Sequence, residues 1–212
     1  MKLPFFPLKS VFFPGETVPL HIFEPRYKAL IRDCRREALT FGIPVYIDKA
    51  ISHGTEVQLI EVVTTYGNGA MDVICLARQA FKVLSFVNPW EGRPYAGGEV
   101  AFMDLDLGAE PSLREEVLKR LEQLYLLMDL PFDTLIGERF NSYVLAHKMG
   151  LSFAQEFELL KMARETDRLL FIKEHLDRTI TLLGEVNRTK ASIELNGHFR
   201  NFDPLDFKGL KI

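Results

Sequence analysis

The sequence predicts an α+β protein, with a region of short strands and loops followed by a region of helices. Nine of the eleven prolines lie at or before position 111. Proline interrupts helices and central strands because it lacks a backbone N–H. The second half instead carries apolar residues at helical spacing. We therefore expect a β subdomain over residues 1–108, a helical subdomain over 109–184 and a tail over 185–212.

The strands of the first half are predicted from β-branched and aromatic residues and from partial alternation of apolar and polar side chains. Gly67-Asn68-Gly69 favours a tight hairpin between two of them, because glycine accepts a positive φ angle. A loop, "NPWEGRP", holds the single tryptophan and joins the last two strands. The expected strands are 40–47, 55–66, 70–77, 81–87 and 95–106.

One helix is expected within the β region. Pro25 suits a first helical turn, where its missing N–H costs nothing. One face of the helix is apolar and another is basic. The apolar face carries Tyr27, Leu30, Ile31, Cys34 and Ala38, and the basic side carries Lys28, Arg32, Arg35 and Arg36.

Helix boundaries in the second half are predicted from capping residues. Ser112 with Glu115, and Ser152 with Gln155, have the spacing of capping boxes. Gly150 and Gly184 are expected to end helices, because glycine is common just beyond a helix C-terminus. The polar tail after Gly184 is predicted to be a loop.

The composition is that of a globular protein, 47% apolar and 26% charged, with a formal net charge of -3. This charge excludes a chain-wide basic surface for nucleic acid. Cys34, Cys75 and the five scattered histidines show no metal-ligand spacing, so we predict no metal and no cofactor. No run approaches the roughly 20 apolar residues of a membrane helix. We expect a cytoplasmic protein that does not bind membranes.

The opening stretch, "LPFFPLKSVFFPGETVPLHIFEPRYKALIRDC", resembles the start of the LON substrate-binding domain, the amino-terminal domain of LON proteases. The resemblance continues more loosely through "RQAFKVL" and "LSFAQEFELLKMARETDRLL". The positions that carry it are Pro4, Phe6, Pro7, Phe13, Pro14, Gly15, Pro19, Leu20, Ile22, Phe23, Glu24, Pro25, Arg26 and Tyr27. The residues themselves suggest structural roles for this stretch, with Phe23 and Tyr27 fixing the helix against the sheet.

The resemblance implies a PUA-like β pseudobarrel followed by a C-terminal helical bundle. It also implies a binding module for unfolded or partly folded polypeptides, with a protease or a chaperone as a further partner left open. The sequence lacks the G-x-x-x-x-G-K-[ST] phosphate loop and ends where the ATPase of LON proteases would begin. We therefore expect a non-catalytic protein, and the oligomeric state is not predicted.

Two sets of residues are candidates for binding. Trp90, Arg93 and Tyr95 in the loop, with Tyr66 at the hairpin, are candidates for anchoring a polypeptide. The alternative for the loop is that Trp90 folds back over the end of the barrel. The other set is the basic side of the first helix, Lys28, Arg32, Arg35 and Arg36, which an RNA-binding PUA-like protein would use.

Overall fold

The computed structural model describes residues 1–132 and 140–199. No helix within these ranges is both long enough and apolar enough to cross a membrane. The elements, in chain order, are β1 (Lys2–Phe5), β2 (Thr17–Ile22), α1 (Pro25–Glu37), β3 (Phe41–Ile47), β4 (Ala50–Thr65), β5 (Met71–Val83), β6 (Ala96–Phe102), α2 (Pro111–Leu127), α3 (Ser142–Leu145), α4 (Phe153–Leu160) and α5 (Glu165–Phe199).

Five of the six strands in the described residues close into a barrel. β1 pairs in parallel with β3 and antiparallel with β6. The antiparallel pairs β3–β4, β4–β5 and β5–β6 complete the ring. The expected strands 70–77 and 81–87 are largely one long strand, β5. The mixed class, with a barrel and helices, is confirmed, while its PUA-like character stays a prediction.

The barrel interior is aromatic and tightly packed. Phe5 and Phe81 are fully buried, and their ring centroids lie 6.1 Å apart. Gly98 lets the chain pass close to its neighbour, because a Cβ there would overlap the carbonyl oxygen of Ser85. Glycine is therefore needed where β6 meets the end of β5.

The distal part of the β4–β5 hairpin leaves the barrel and, with β2, forms a smaller three-stranded part of the same sheet. β2 pairs with β5 over Met71 to Leu76, on the side of β5 away from β4. Helix α1 covers one face of this sheet and buries Tyr27, Leu30, Ile31 and Cys34 there. The predicted helix, its start at Pro25 and its apolar face are thus confirmed, although Ala38 is exposed in the left-handed region that ends the helix.

The helices share a core with the barrel. Val117, Leu121 and Leu124 of α2 pack in one buried cluster with Leu169, Ile172 and Leu176 of α5. Val11 and Phe13, from the segment between β1 and β2, belong to the same cluster. The ring of Phe13 stacks on that of Tyr143 with centroids 5.2 Å apart. The boundary expected near residue 108 stays a prediction, because the packing is continuous across it.

Helix boundaries were only partly predictable. The capping box at Ser152 and Gln155 is confirmed. The one at Ser112 and Glu115 is wrong, because α2 begins at Pro111 and no side chain caps it. The expected stop at Gly184 is also wrong, since α5 continues to Phe199. The predicted loop over 185–212 is therefore helical as far as 199, and its remainder lies outside the described residues.

A fully buried ion pair lies where the barrel meets the helices. Arg168 of α5 has its Nη2 2.8 Å from Oε2 of Glu165, and both side chains have no exposed surface. Arg168 also donates to the carbonyl oxygens of Asp106, Met162 and Ala163, at 2.7 to 2.9 Å. The hydroxyl of Ser142 accepts a hydrogen bond from Arg168 Nε and donates one to Oε2 of Glu165. Every charged group here has partners, which burial of charge requires.

Arg168→Met should therefore destabilise the protein strongly, because it leaves the Glu165 carboxylate buried without a cation. Breaking such a pair from one side typically costs about 3–5 kcal/mol. Chemical denaturation followed by circular dichroism would measure the loss. Arg164→Met is the matched control, since Arg164 is exposed and pairs with Asp167 at the surface. Equal stability of the two variants would contradict the role of the buried pair.

A second link between the β region and the helices is built on His147. Its Nε2 lies 3.0 Å from Oε1 of Glu16, which precedes β2, and its Nδ1 lies 2.7 Å from Oε1 of Glu156 in α4. Hydrogen bonding to Glu16 is the main cause that raises the pKa of His147 to about 9, with Glu156 adding to it against the opposing effect of burial. The imidazolium thus joins two carboxylates from different parts of the fold.

This link predicts a pH dependence of stability. The folded pKa is raised above the ordinary 6.5, so the stabilisation is complete below pH 6.5 and disappears as the pH rises through about 9. His147→Gln keeps a hydrogen-bonding side chain that does not titrate. We expect the melting temperature of wild type to exceed that of this variant most just below pH 6.5, and the difference to shrink as the pH rises through about 9. A difference that does not change with pH would contradict a stabilising role for the imidazolium.

Candidate functional site

The loop that carries the tryptophan is folded back onto the protein. Trp90 is half-buried and packs against the cluster beneath α1. Its backbone N–H donates to the carbonyl of Tyr95 at 3.0 Å. A Cβ on Gly97 would overlap the indole ring, so the ring lies directly on that backbone. The packing therefore favours the alternative in which Trp90 folds back, and its role as a polypeptide anchor stays a prediction.

Arg93 and Tyr95 attach this loop to α1. Arg93 Nη1 lies 2.7 Å from Oδ2 of Asp33, and Tyr95 Oη donates to the same oxygen at 2.8 Å. Arg93 Nη2 also lies 3.1 Å from Oε2 of Glu37. Burial opposes ionisation of Asp33, but the hydrogen bonds from Tyr95 and Arg93 outweigh it and hold its pKa below the ordinary value. Tyr95 is fully buried, so the expectation that it is exposed to a ligand is wrong.

Most of the basic residues of α1 have hydrogen-bond or ion-pair partners nearby. Lys28 Nζ donates to the carbonyl of Asn68 at 2.9 Å and so holds the hairpin tip. Arg36 pairs with Asp33 and Glu37 at 2.8 and 2.5 Å. Arg32 donates to the backbone of its own helix. Arg35 alone of the four has no hydrogen bond or ion pair among the described residues. The described contacts give no support to the RNA-binding alternative.

The smaller sheet has one face that no described element covers. We call it the open sheet: β2, residues 71–76 of β5 and residues 58–65 of β4. Side chains alternate between the faces of a sheet. Val73 and Cys75 are buried under α1, so Asp72, Ile74 and Leu76 point to the opposite, outer face.

Two bulges enlarge the apolar part of this outer face. Glu61 pairs with Ile74 after one extra residue, Ile60, and Thr64 pairs with Asp72 after another, Val63. A bulge sets two residues opposite one, on the same side of the sheet. Ile60 and Val63 accordingly project from the outer face with 56% and 55% of their surface exposed.

Aromatic residues border the outer face at the hairpin end. Phe23, just after β2, is 62% exposed, and Tyr66 is 45% exposed. The expectation that Phe23 fixes α1 against the sheet is wrong, and Tyr27 alone of the two is buried there. The ring of His21 lies between them, with centroids 6.0 Å from Phe23 and 5.9 Å from Tyr66.

Asp72 holds this corner in place. Its Oδ1 lies 2.6 Å from Nδ1 of His21, and its Oδ2 accepts from Tyr66 Oη at 2.5 Å. The hydrogen bond from Tyr66, with that from His21, keeps the pKa of Asp72 below its ordinary value. The apolar face therefore has an ordered polar border, which is typical of surfaces that bind other proteins.

A groove of about 570 Å³ runs along the edge of β4 that faces away from β5, against the C-terminal end of α1. The helix contributes Cys34, Arg35, Ala38 and Leu39 to its lining, and β4 contributes Gln58 to Val62 with Thr65. Sequence reasoning missed both the groove and the outer face. The alternation of β4 gave a partial signal, but the bulges disguise it.

The described residues offer little for covalent or metal chemistry. No group of three or more His, Cys, Asp or Glu side chains within them is placed to hold a metal ion. Burial raises the pKa of the Cys34 and Cys75 thiols to about 12, so both stay protonated.

The family model for the ATP-dependent protease La (LON) substrate-binding domain matches residues 2–178. The chain belongs to the LON substrate-binding domain family. It is similar to the crystal structure of a Lon N-terminal domain protein from Xanthomonas campestris, with a TM-score of 0.62, 29% identity, and 80% of this chain and 95% of that one covered. Among curated proteins, none is similar enough to match.

The N-terminal domain of the Mycobacterium avium complex Lon protease is also similar. Its TM-score is 0.62, with 84% of this chain and 98% of that one covered. The identity is 16%, so this likeness concerns the fold alone. The resemblance noted in the opening stretch is thus confirmed over most of the chain.

The contact of Trp90 with Gly97 predicts a coupled pair of substitutions. Gly97→Ala should cost about 1–3 kcal/mol of unfolding free energy, because the new methyl meets the indole ring. Trp90→Ala should cost about 2 kcal/mol, between a surface and a fully buried residue. In the double variant the methyl has room, so the two costs should not add.

Denaturant unfolding of the four proteins gives this coupling directly. Gly67→Ala is the control, since a Cβ there meets nothing within 4 Å. Additive costs, or a Trp90→Ala variant as stable as wild type, would contradict the folded-back loop.

Proposed function

We propose that the protein is a non-catalytic module that recognises unfolded or partly folded polypeptides through the outer face of the open sheet. The observation that carries the proposal is the uncovered apolar face around Ile60 and Val63, bordered by Phe23 and Tyr66. A folded protein normally keeps such side chains apart or covered, and a grouped, bordered set marks an interaction surface. Membership of the substrate-binding family supports a polypeptide as the ligand.

Among the loop and hairpin candidates, we assign a binding role to Tyr66. Its hydroxyl is fixed by Asp72, so its ring is presented without loss of much side-chain freedom. To Trp90, Arg93 and Tyr95 we assign the task of fastening the loop to α1. This division is supported by the ion pairs of Arg93 with Asp33 and Glu37.

We further propose that the chain hydrolyses neither ATP nor peptide bonds and that it works in the cytoplasm. The lack of a phosphate loop in the sequence supports the first point. Two free, buried cysteines are compatible with a reducing compartment. ATP turnover or casein cleavage by the purified chain, abolished by a point substitution within it, would disprove the first point.

The outer face is tested with fluorescein-labelled casein as the unfolded probe. Ile60→Ser and Phe23→Ser should each weaken binding by about tenfold or more, as expected for central apolar anchors. Their melting temperatures should stay close to that of wild type, because exposed side chains contribute within about 0.5 kcal/mol. Fluorescence anisotropy and differential scanning calorimetry measure the two quantities.

Leu182→Ser is the matched control, because Leu182 is 62% exposed but lies on α5, away from the open sheet. It should bind casein as wild type does. If the control and the two sheet variants lose equal affinity, recognition is not localised on the open sheet. If wild type does not bind casein at all, the proposed function is wrong.

A further inference from the structure

The strand β4 has a free edge beyond the barrel. Its pairing with β3 ends at Val57, which lies opposite Phe41. From 58 to 65 it pairs only with β5 among the described residues. A strand edge of this kind presents unpaired N–H and C=O groups to the outside.

The hairpin geometry identifies the residues whose peptide groups point to that edge. The N–H of Tyr66 donates to the carbonyl of Ala70 at 2.8 Å, so these two form a hydrogen-bonded pair. Hydrogen-bonded and non-hydrogen-bonded pairs alternate along an antiparallel ladder. The next pair, Thr65 with Met71, is therefore non-hydrogen-bonded, and the peptide groups of Thr65 point away from β5.

The same alternation holds two and four residues further along β5. Val73 and Cys75 lie opposite Val62 and Leu59, so these also direct their peptide groups to the free edge. The pairing with β2 agrees with this, because Met71, Val73 and Cys75 direct their own groups towards it. The peptide groups of Leu59, Val62 and Thr65, separated by the two bulges, thus face the groove beside α1.

The two outer edges of the open sheet differ in what they offer. On β2, Val18, Leu20 and Ile22 direct their peptide groups towards β5. The residues between them direct theirs to the outer edge, and the central one of these is Pro19. Proline has no N–H, so this edge lacks a donor in its middle, a common way to block strand addition. No proline lies within residues 58–65 of β4.

Building on the proposed function, we propose that an extended segment of the bound polypeptide adds to the free edge of β4 as a further strand of the open sheet. The free groups are peptide groups, and an extended main chain is what satisfies them in series. Arg35 and Glu61 are the charged residues that line the groove, and Arg35 has no ion pair among the described residues, so an acidic side chain of the segment fits at the Arg35 end. The partner is thus an extended stretch of an unfolded chain with an acidic side chain beside Arg35.

The two bulges favour a flexible partner over a preformed one. They twist and interrupt the strand at Ile60 and Val63, which hinders pairing with the straight edge of a folded sheet or of a second copy. An unfolded segment adapts to the twist. Main-chain pairing then holds the segment whatever its sequence, while the apolar outer face selects for exposed hydrophobic residues.

The protein side of the proposal is tested at Thr65. Thr65→Pro removes an N–H that points to the groove and leaves the ladder with β5 intact. We expect about tenfold weaker binding of labelled casein with little change in melting temperature. Thr65→Val is the matched control, since it keeps the N–H and a similar shape, and should bind as wild type does.

The ligand side is tested with a short labelled peptide of alternating valine and glutamate. Two further versions carry N-methyl groups at all valines or at all glutamates. A strand pairs through every second residue, so one version should lose about tenfold or more in affinity and the other should bind nearly as the parent does. This measurement stands even if Thr65→Pro does not fold.

The outcomes separate the two proposals. If both methylated peptides bind like the parent, strand addition is wrong, while loss of casein binding in Phe23→Ser, a residue that does not line the groove, would leave the proposed function standing. If both bind equally weakly, selective main-chain pairing is likewise wrong. Arg35→Glu should weaken the glutamate peptide more than a version with glutamine, and an equal effect would overturn the acidic preference. If neither casein nor the peptide binds wild type, both proposals fall.

Discussion

The buried pair of Arg168 and Glu165 is the interaction on which the arrangement of the two parts depends. It gathers a carbonyl of the segment after β6, a carbonyl of the turn before α5 and the hydroxyl of Ser142 at the start of α3 around one charge. A charge with no water around it tolerates little displacement of its partners. The helices are therefore fixed relative to the barrel, with the ring of Tyr143 under the guanidinium at 4.5 Å.

A barrel fixed in this way carries the open sheet without covering it. β5 is continuous from the open sheet into the barrel, so the position of its second half in the barrel fixes the position of its first half in the open sheet. Helix α1 closes one face of the sheet, and the loop with Trp90 closes off the end of α1 through Arg93. The outer face and the free edge of β4 are the parts of the open sheet that stay uncovered. Both lie on a rigid support, as binding surfaces require.

The sequence predicted those features that short segments determine. Pro25 and the apolar spacing after it specify α1, and Ser152 with Gln155 specify the start of α4. Features that depend on distant partners were missed. Gly184 does not end α5, because α5 packs beside α2, where Asn187 donates to the carbonyl of Leu127. The burial of Tyr95 likewise depends on Asp33, 62 residues away.

The proposed binding surface was the hardest feature to predict, because it is defined by register. Tyr66 was proposed from its place at the hairpin, whereas the alternation that begins at Val57 and Leu59 would place Val63 on the buried face. The extra residue at Ile60 shifts this alternation, so Val63 projects outward. The same two bulges twist the edge of β4 and so hinder pairing with a flat partner strand. A surface that holds exposed apolar residues yet resists self-pairing is suited to a ligand that has no fold of its own.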